Sequence, residues 1–307
     1  MKNSIIINFP TNIGDTVLSL PVLDQMRAAN PKSKITAIVS SRTKEFLSRN
    51  DFIDEVIVFD KKWTLKQKLA FGLNLRGKYD IVVDFKNTLL PLIIGAKKRT
   101  PFIRKSFKEL HAKDVYSKVV SKLINLRKNV KQSNFNFTNE EKNKIDLWKL
   151  RSSLFISVTS LSSKKNYPYK KIKTIVQELI KKNFPIVFIG EDRDKSYYKD
   201  ILSFEGVVDL VGKTNFIEVI YLLKNYARLL LCVDTGILHL GSYLNIPMVV
   251  IFGSTESKNF GPWSDKYKVL KSDKVKHPDM VKEGLGLSNE SMQISEQEII
   301  TAIENIW

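Results

Sequence analysis

The stretch 229–263, LLLCVDTGILHLGSYLNIPMVVIFGSTESKNFGPW, sets the tightest limit on how this chain can fold. Two short apolar runs, 229–233 and 248–252, carry β-branched residues and are bounded by turn formers, which is the pattern of buried strands. A helix fits between them, entered at Asp234-Thr235-Gly236 and stopped by Asn245 and Pro247, since proline cannot extend a helix. The result is a βαβ unit. In such a unit ligands gather at the carboxyl ends of the strands, and the N–H groups of the helix's first turn form an anion site that the helix dipole strengthens. A phosphate is the natural guest. His239, three residues past Gly236, leans toward the helix start and can reach the same spot. Taken alone, these residues read equally well as a capped turn with a core histidine.

The alternation runs the length of the chain. In the first half, strands are expected at 4–8, 35–40, 55–59 and 80–84, and helices at 15–29, 42–49, within 65–75, at 87–96 and at 109–126. In the second half, strands are expected at 154–158, 186–190, 207–209, 229–233, 248–252 and 267–270, and helices at 169–182, 194–202, 215–224 and 295–306. Strands alternating with helices imply an α/β chain with parallel, doubly wound sheets. The polar stretch 128–145 shows no clear period and reads as a linker, giving domains 1–145 and 146–307. The final helix, 295–306, is free in this reading to pack back on the first domain.

A chain of 307 residues that is 43% hydrophobic can bury two ordinary cores. The single cysteine, Cys232, sits in an expected buried strand, so an intrachain disulfide and a cysteine-rich metal site are both excluded. A reducing cytoplasm fits that usage. The opening MKNSIIINFPTNIGD has too short an apolar run for a signal segment, and no later run approaches the ~20 apolar residues of a membrane span.

The net charge of +18 is unevenly placed. Residues 1–150 carry 29 Lys and Arg against 14 Asp and Glu, net +15, whereas residues 151–307 carry 21 against 18, net +3. Between Lys86 and Lys131, 13 basic residues face only Glu109 and Asp114. Such a cluster points to an acidic partner: nucleic acid, anionic lipid headgroups or a phosphorylated glycan. A lysine bias of the genome, spread over a solvated face, would give the same count.

The motifs narrow the choice. The run D-T-G-x-x-H, a small-residue helix, P-x-V-x-x-F-G, then T and G-P-W resembles the ADP-heptose heptosyltransferases, glycosyltransferase family 9. In this chain it comprises Asp234, Thr235, Gly236, His239, Pro247, Val249, Phe252, Gly253, Thr255, Gly261, Pro262 and Trp263. Near the N-terminus Gly14-Asp15, followed by Pro21 and Leu23, is similar to the family's second signature, G-D-x-x-x-x-x-P-x-L. The resemblance implies the GT-B architecture, two Rossmann-like domains facing a cleft, the first binding acceptor and the second binding nucleotide sugar.

It also implies roles. Asp15 would be the general base and Gly14 would let the acceptor approach the backbone; without the resemblance, Asp15 reads as a helix-start aspartate favoured by the dipole. That dipole keeps the carboxylate ionised, as a proton acceptor requires. The segment Ser160 to Pro168 resembles the family's S-x-x-K-x-W-P loop, with Tyr167 in place of Trp. By spacing, Lys165 matches the lysine on donor phosphate, with Lys164 the adjacent alternative. After strand 186–190, Glu191 or Asp192 would hold the ribose hydroxyls, although the acidic loop Glu191-Asp192-Arg193-Asp194 reads equally as solvated surface. The donor site is therefore expected from Lys165, Glu191, Asp192, Asp234, Thr235, Gly236 and His239. Acceptor contacts are expected from Gly14, Lys97, Lys98, Arg99, Arg104, Lys105 and Lys113.

The reaction implied is an inverting transfer of a heptose or related sugar from an ADP-sugar to an acidic, lipid-linked lipopolysaccharide or lipooligosaccharide core acceptor. The enzyme would be cytoplasmic, peripheral on the anionic inner face of the inner membrane. No cofactor and no metal are expected: there is no D-x-D between strands, and His111, His239 and His277 are scattered. Rivals remain on the same fold. They are a sugar-nucleotide epimerase, a transferase using another nucleotide sugar or acceptor, and a protein-glycosylating branch whose cysteine-bound iron one cysteine does not suit. A basic nucleic-acid-binding protein is the rival from another class, yet no recognition helix, zinc finger or RNP pattern is present, so no nucleic acid is expected.

Overall fold

The computed structural model describes residues 3–102, 107, 109–253, 257–272 and 293–307, and of Lys164 the backbone alone. Arg104, Lys105, Thr255 and His277 lie outside the described residues. The chain forms two compact units, Met1–Asn136 and Phe137–Trp307.

In the first unit the elements are β1 (Ser4–Asn8), α1 (Ile13–Leu18), α2 (Leu20–Ala29), β2 (Lys34–Val39), α3 (Ser41–Ser48), β3 (Glu55–Val58), α4 (Leu65–Asn74), β4 (Ile81–Asp84), α5 (Leu90–Ile94), β5 (Lys98–Arg99) and α6 (Ala112–Val120). The sheet is wholly parallel in the order β3-β2-β1-β4-β5. Its centre is apolar on both faces: Ile5, Ile6 and Ile7 of β1 are fully buried, as a parallel strand covered by helices on each side must be.

In the second unit they are α7 (Asn139–Asp146), β6 (Ser153–Ser157), α8 (Tyr169–Lys181), β7 (Ile186–Phe188), α9 (Lys195–Tyr198), β8 (Val207–Asp209), α10 (Phe216–Tyr226), β9 (Ala227–Val233), α11 (Gly236–Tyr243), β10 (Met248–Phe252), α12 (Ser257–Phe260), β11 (Tyr267–Lys271) and α13 (Glu296–Ile306). The sheet, again parallel, runs β11-β10-β9-β6-β7-β8. Ile172, Ile175, Val176 and Leu179 of α8 fall on one helical face and are fully buried, each contributing about 1.5–3 kcal/mol before ordering entropy is subtracted. Among the described residues no helix is long and apolar enough to cross a membrane.

Several expected elements differ, for local reasons. The helix expected over 15–29 is two helices. Thr16 sends its hydroxyl back to the Asn12 carbonyl (2.8 Å) and Ser19 to that of Thr16 (2.7 Å), and Pro21 has no N–H to offer, so the ladder breaks at Ser19. The helix expected over 87–96 shrinks to α5. The buried Asp84 carboxylate collects the N–H groups of Lys86 (2.9 Å) and Thr88 and the Thr88 hydroxyl (2.9 Å), which holds 84–88 in a turn with Asn87 at φ 58°. The helix expected over 109–126 starts only at Ala112, where the His111 ring accepts the Lys113 N–H (3.2 Å) and caps it. The helix expected over 194–202 is reduced to α9 with 3₁₀ turns on either side. Adjacent Tyr197 and Tyr198 are both committed inward, and Lys199 at φ 47° interrupts the run.

The stretch read as a linker, 128–145, contains most of α7, and the second unit begins at Phe137, not 146. Thr138 and Glu141 form a capping box, Ile145 is buried, and Lys144 Nζ meets both carboxylate oxygens of the buried Glu218 at 2.8 and 2.9 Å. The final helix packs on its own unit. Ile299, Ile300 and Ile303 of α13 are buried against α8, β9, β10 and β11, and Arg228 stacks on Trp307 at 4.5 Å while bonding its carbonyl.

Candidate active site

In an open parallel sheet the order reverses at one point, and the strand ends there leave a crevice because their connections turn to opposite faces. In the second unit this point lies between β6 and β9, neighbours in the sheet although 70-odd residues apart. The segment leaving β6 carries Lys165 and the one leaving β9 carries Asp234-Thr235. They meet: Lys165 Nζ lies 2.7 Å from Asp234 Oδ2 and 3.4 Å from the Asp234 carbonyl. The Asp234 side chain is only 8% exposed and that of Lys165 is 32% exposed, so the pair is partly shielded and stronger than a surface contact.

α11 starts in the same place. Thr235 is its N-cap residue, but the hydroxyl turns back to the Val233 carbonyl (3.4 Å) and gives the helix no side-chain cap. A helix start without its own cap presents N–H groups and a positive dipole end to an anion. His239 follows one turn in, buried, its ring stacked on Trp263 with centroids 6.0 Å apart and planes at 18°. Two glycines permit this seat. A Cβ at Gly241 would meet Leu230 Cδ2 at 2.7 Å and Met248 Sδ at 2.8 Å, and one at Gly261 would meet the Ser257 carbonyl oxygen at 2.3 Å. Asp234, Thr235, Gly236, His239 and Lys165 are thus brought to one strand end.

The loop carrying Lys165 is pinned at Tyr167. Its N–H bonds the Val158 carbonyl (3.1 Å), its carbonyl accepts from Tyr197, and its hydroxyl donates to the Ile294 carbonyl (3.1 Å), which Lys171 Nζ also reaches (2.8 Å). Beneath it the Tyr198 hydroxyl accepts the Val158 N–H (3.0 Å) at the end of β6. Desolvation pushes both phenols well above the usual tyrosine range, so both hydroxyls keep their protons. Sequence reasoning missed this scaffold; the one signal was tyrosine standing where the resembled loop has tryptophan.

Glu191 and Asp192 are placed otherwise. They follow β7, on the side of β6 away from β9, with side chains 71% and 81% exposed. Glu191 pairs with Arg193 (3.0 Å) and Asp192 with Lys195 (2.7 Å). No described contact ties either to Lys165 or Asp234.

In the first unit the order reverses between β1 and β4. Asn8 at the end of β1 donates to Asp84 Oδ1 at the end of β4 (2.9 Å), locking the two ends together. The loop after β1 is stiffened by the Thr16 hydroxyl, which reaches the Pro10 (3.1 Å) and Asn12 (2.8 Å) carbonyls. Asp15 rides on this loop as the third residue of α1, half-exposed, with one long contact from Asn12 Nδ2 at 3.4 Å. Gly14 precedes it in the first turn. Lys86, not singled out as a site residue, stands at the end of β4 with Nζ 5.5 Å from the Phe59 ring, and burial lowers its pKa although Asp84 opposes the shift.

The other basic residues are not gathered there. Lys98 pairs with Ile81 and Arg99 with Val82, so they stand opposite the amino half of β4, about 7–10 Å before Asp84 along the strand, with Lys97 one residue further away. All three are exposed. Lys113, in the first turn of α6, pairs with Asp114 at 2.7 Å. Among the described residues no group of three or more His, Cys, Asp or Glu side chains comes together as a metal would need. Cys232 is fully buried in β9, and burial with the nearby Asp234 charge pushes its thiol far up.

A family model described as glycosyltransferase family 9 (heptosyltransferase) matches residues 69–286. The chain is 24% identical over 293 residues to lipopolysaccharide heptosyltransferase 3 of Escherichia coli, covering 82% of this chain and 84% of that one. Two solved structures share the fold. The glycosyl transferase family 9 protein of Veillonella parvula gives a TM-score of 0.82 at 22% identity, covering 99% of this chain and 97% of that one. The E. coli ADP-heptose LPS heptosyltransferase II gives 0.79 at 20%, covering 100% and 98%. The two parallel α/β sheets are thus those of the expected GT-B class.

Proposed function

The chain belongs to glycosyltransferase family 9, the heptosyltransferases, and from that premise we propose that it moves a heptose or related sugar from an ADP-sugar to a lipopolysaccharide or lipooligosaccharide core acceptor, with inversion. The observation that carries the reading is the Lys165–Asp234 pair beside the uncapped start of α11 at the sheet's reversal point. In the absence of donor, Asp234 holds Lys165 as an anion would. A diphosphate arriving there takes over part of that contact and gains the N–H groups of Thr235 and Gly236. His239, held flat by Trp263, assists from the same helix. Glu191 or Asp192 completes the donor site at the ribose.

Asp15 serves as the base. Its carboxylate takes the acceptor hydroxyl's proton as that oxygen attacks the anomeric carbon; the new C–O bond forms as the bond to the β-phosphate oxygen breaks, and ADP leaves with the electron pair. Approach opposite the leaving group inverts the centre. Gly14, lacking a side chain, leaves room for the acceptor against the backbone, and Lys86 supplies positive charge in the first unit for an acidic acceptor. Lys165 is a point charge able to offset the developing negative charge on ADP. Cys232, buried and protonated, is unsuited to ligate iron. Turnover is therefore expected to be unchanged in excess EDTA. Loss of activity in chelator, restored by Mg²⁺, Mn²⁺ or iron, would show that a cation, and not Lys165 with the α11 N–H groups, neutralises the leaving diphosphate.

A further inference from the structure

α4 carries an apolar stripe that its own unit does not cover. Leu65, Leu69 and Leu73 recur at i, i+4 and i+8 and are 86%, 49% and 46% exposed. The face turned inward is a different one: Phe71 packs with Phe59 and Trp63, and Gly72 lies so close to α5 that a Cβ would meet Ile93 Cγ2 at 2.6 Å. Beside that contact, Leu89 and Leu92 add 53% and 47% exposed side chains. Isolated exposed leucines are ordinary, but four on two packed helices, with Leu89 at the cap of α5, form a patch that marks a contact surface.

Charge identifies the occupant. Residues 61–79 contain Lys61, Lys62, Lys66, Lys68, Arg76 and Lys78 and no Asp or Glu. The exposed Lys97, Lys98 and Arg99 follow α5 directly. A second copy seated on this patch would bring two such clusters face to face, and like-charge repulsion disfavours it. A bilayer with anionic headgroups satisfies both parts, taking the leucines at the acyl boundary and the lysines at the phosphates. We propose that the α4–α5 flank of the first unit is a membrane-docking surface, seating the protein on an anionic bilayer through the leucine stripe and its flanking lysines. The inference deepens the reading of a lipid-linked acceptor and rests on it. It also gives the β5 charges a place: they lie away from the strand end that carries Asp15 because they face lipid.

The test uses the full chain and vesicles of phosphatidylglycerol mixed with phosphatidylethanolamine, with phosphatidylcholine vesicles as the neutral control. Wild type should co-sediment with the anionic vesicles and be released by high salt. Leu65→Gln/Leu69→Gln/Leu73→Gln should lower partitioning roughly tenfold or more at unchanged melting temperature, since all three side chains are exposed. Lys61→Gln/Lys62→Gln/Lys66→Gln should erase the preference for anionic over neutral vesicles. Equal binding by the leucine variant and wild type overturns the proposal, as does a wild type that ignores vesicles and elutes as a dimer which the leucine variant dissociates. ADP binding, measured on the same samples, separates this failure from that of the enzyme reading: ADP bound without vesicle binding sinks the docking surface alone, and vesicle binding without ADP sinks the donor site alone.

Discussion

Replacing Asp15 with Asn is expected to slow sugar transfer by about 100- to 10,000-fold, the range lost when a positioned general base is removed, equivalent to about 3–5.5 kcal/mol of barrier. The fold should not notice. Asp15 is half-exposed and makes one long contact to Asn12, so the substitution should change stability by less than about 0.5 kcal/mol. Donor affinity should also stay near wild type, because the residues assigned to the nucleotide belong to the other compact unit. Steady-state kinetics beside an ADP titration separates these effects. A mutant with wild-type turnover removes Asp15 from the mechanism, and a mutant with weak ADP binding moves it to the donor site.

The second large effect is that of Lys165→Ala. A charge-assisted hydrogen bond to phosphate contributes about 1.5–3 kcal/mol, so ADP should bind roughly 10- to 150-fold more weakly while adenosine, lacking phosphate, binds as before. The same change strips the partner from a carboxylate only 8% exposed. An uncompensated charge at such a site costs several kcal/mol when deeply buried; with Lys165 32% exposed, solvent screens part of the loss, leaving about 1–2 kcal/mol of destabilisation. Weaker ADP at unchanged stability would mean that Asp234 is relieved by solvent. Unchanged ADP affinity would show that the diphosphate lies elsewhere, with Lys165 only the counter-ion of Asp234.

These two residues show where the sequence was legible. The strands β1, β9 and β10 hold unbroken apolar runs, 5–7, 229–233 and 248–252, and covered parallel sheets leave no other reading. The start of α11 was visible as Asp234-Thr235-Gly236 because turn chemistry is local. The Lys165–Asp234 contact was not visible in the residues. It exists because β6 and β9 are sheet neighbours, and adjacency across a topological reversal is a property of the whole unit. The Asp84 turn that shortens α5 was hidden for a related reason: a side chain competing for backbone N–H groups overrides helical periodicity. α7 is marked in the sequence by its Thr138 and Glu141 capping box, but the polarity of the surrounding stretch outweighs that signal and reads as a linker. The strand β5 was beyond reach, two charged residues whose pairing depends on β4 already standing beside them.

The proposed reaction is transfer of sugar from an ADP-linked donor with inversion. The most direct measurement is to incubate it with ADP-heptose, and in parallel with UDP-sugars, in the presence of a Kdo-bearing lipid A acceptor, quantify the nucleoside diphosphate released, and read the anomeric configuration of the new bond by NMR. The expected result is ADP release matching sugar transferred, a glycosidic bond inverted relative to the donor, and no turnover of the UDP-sugars. Transfer from UDP-sugars alone, or a product retaining the donor's configuration, would contradict it.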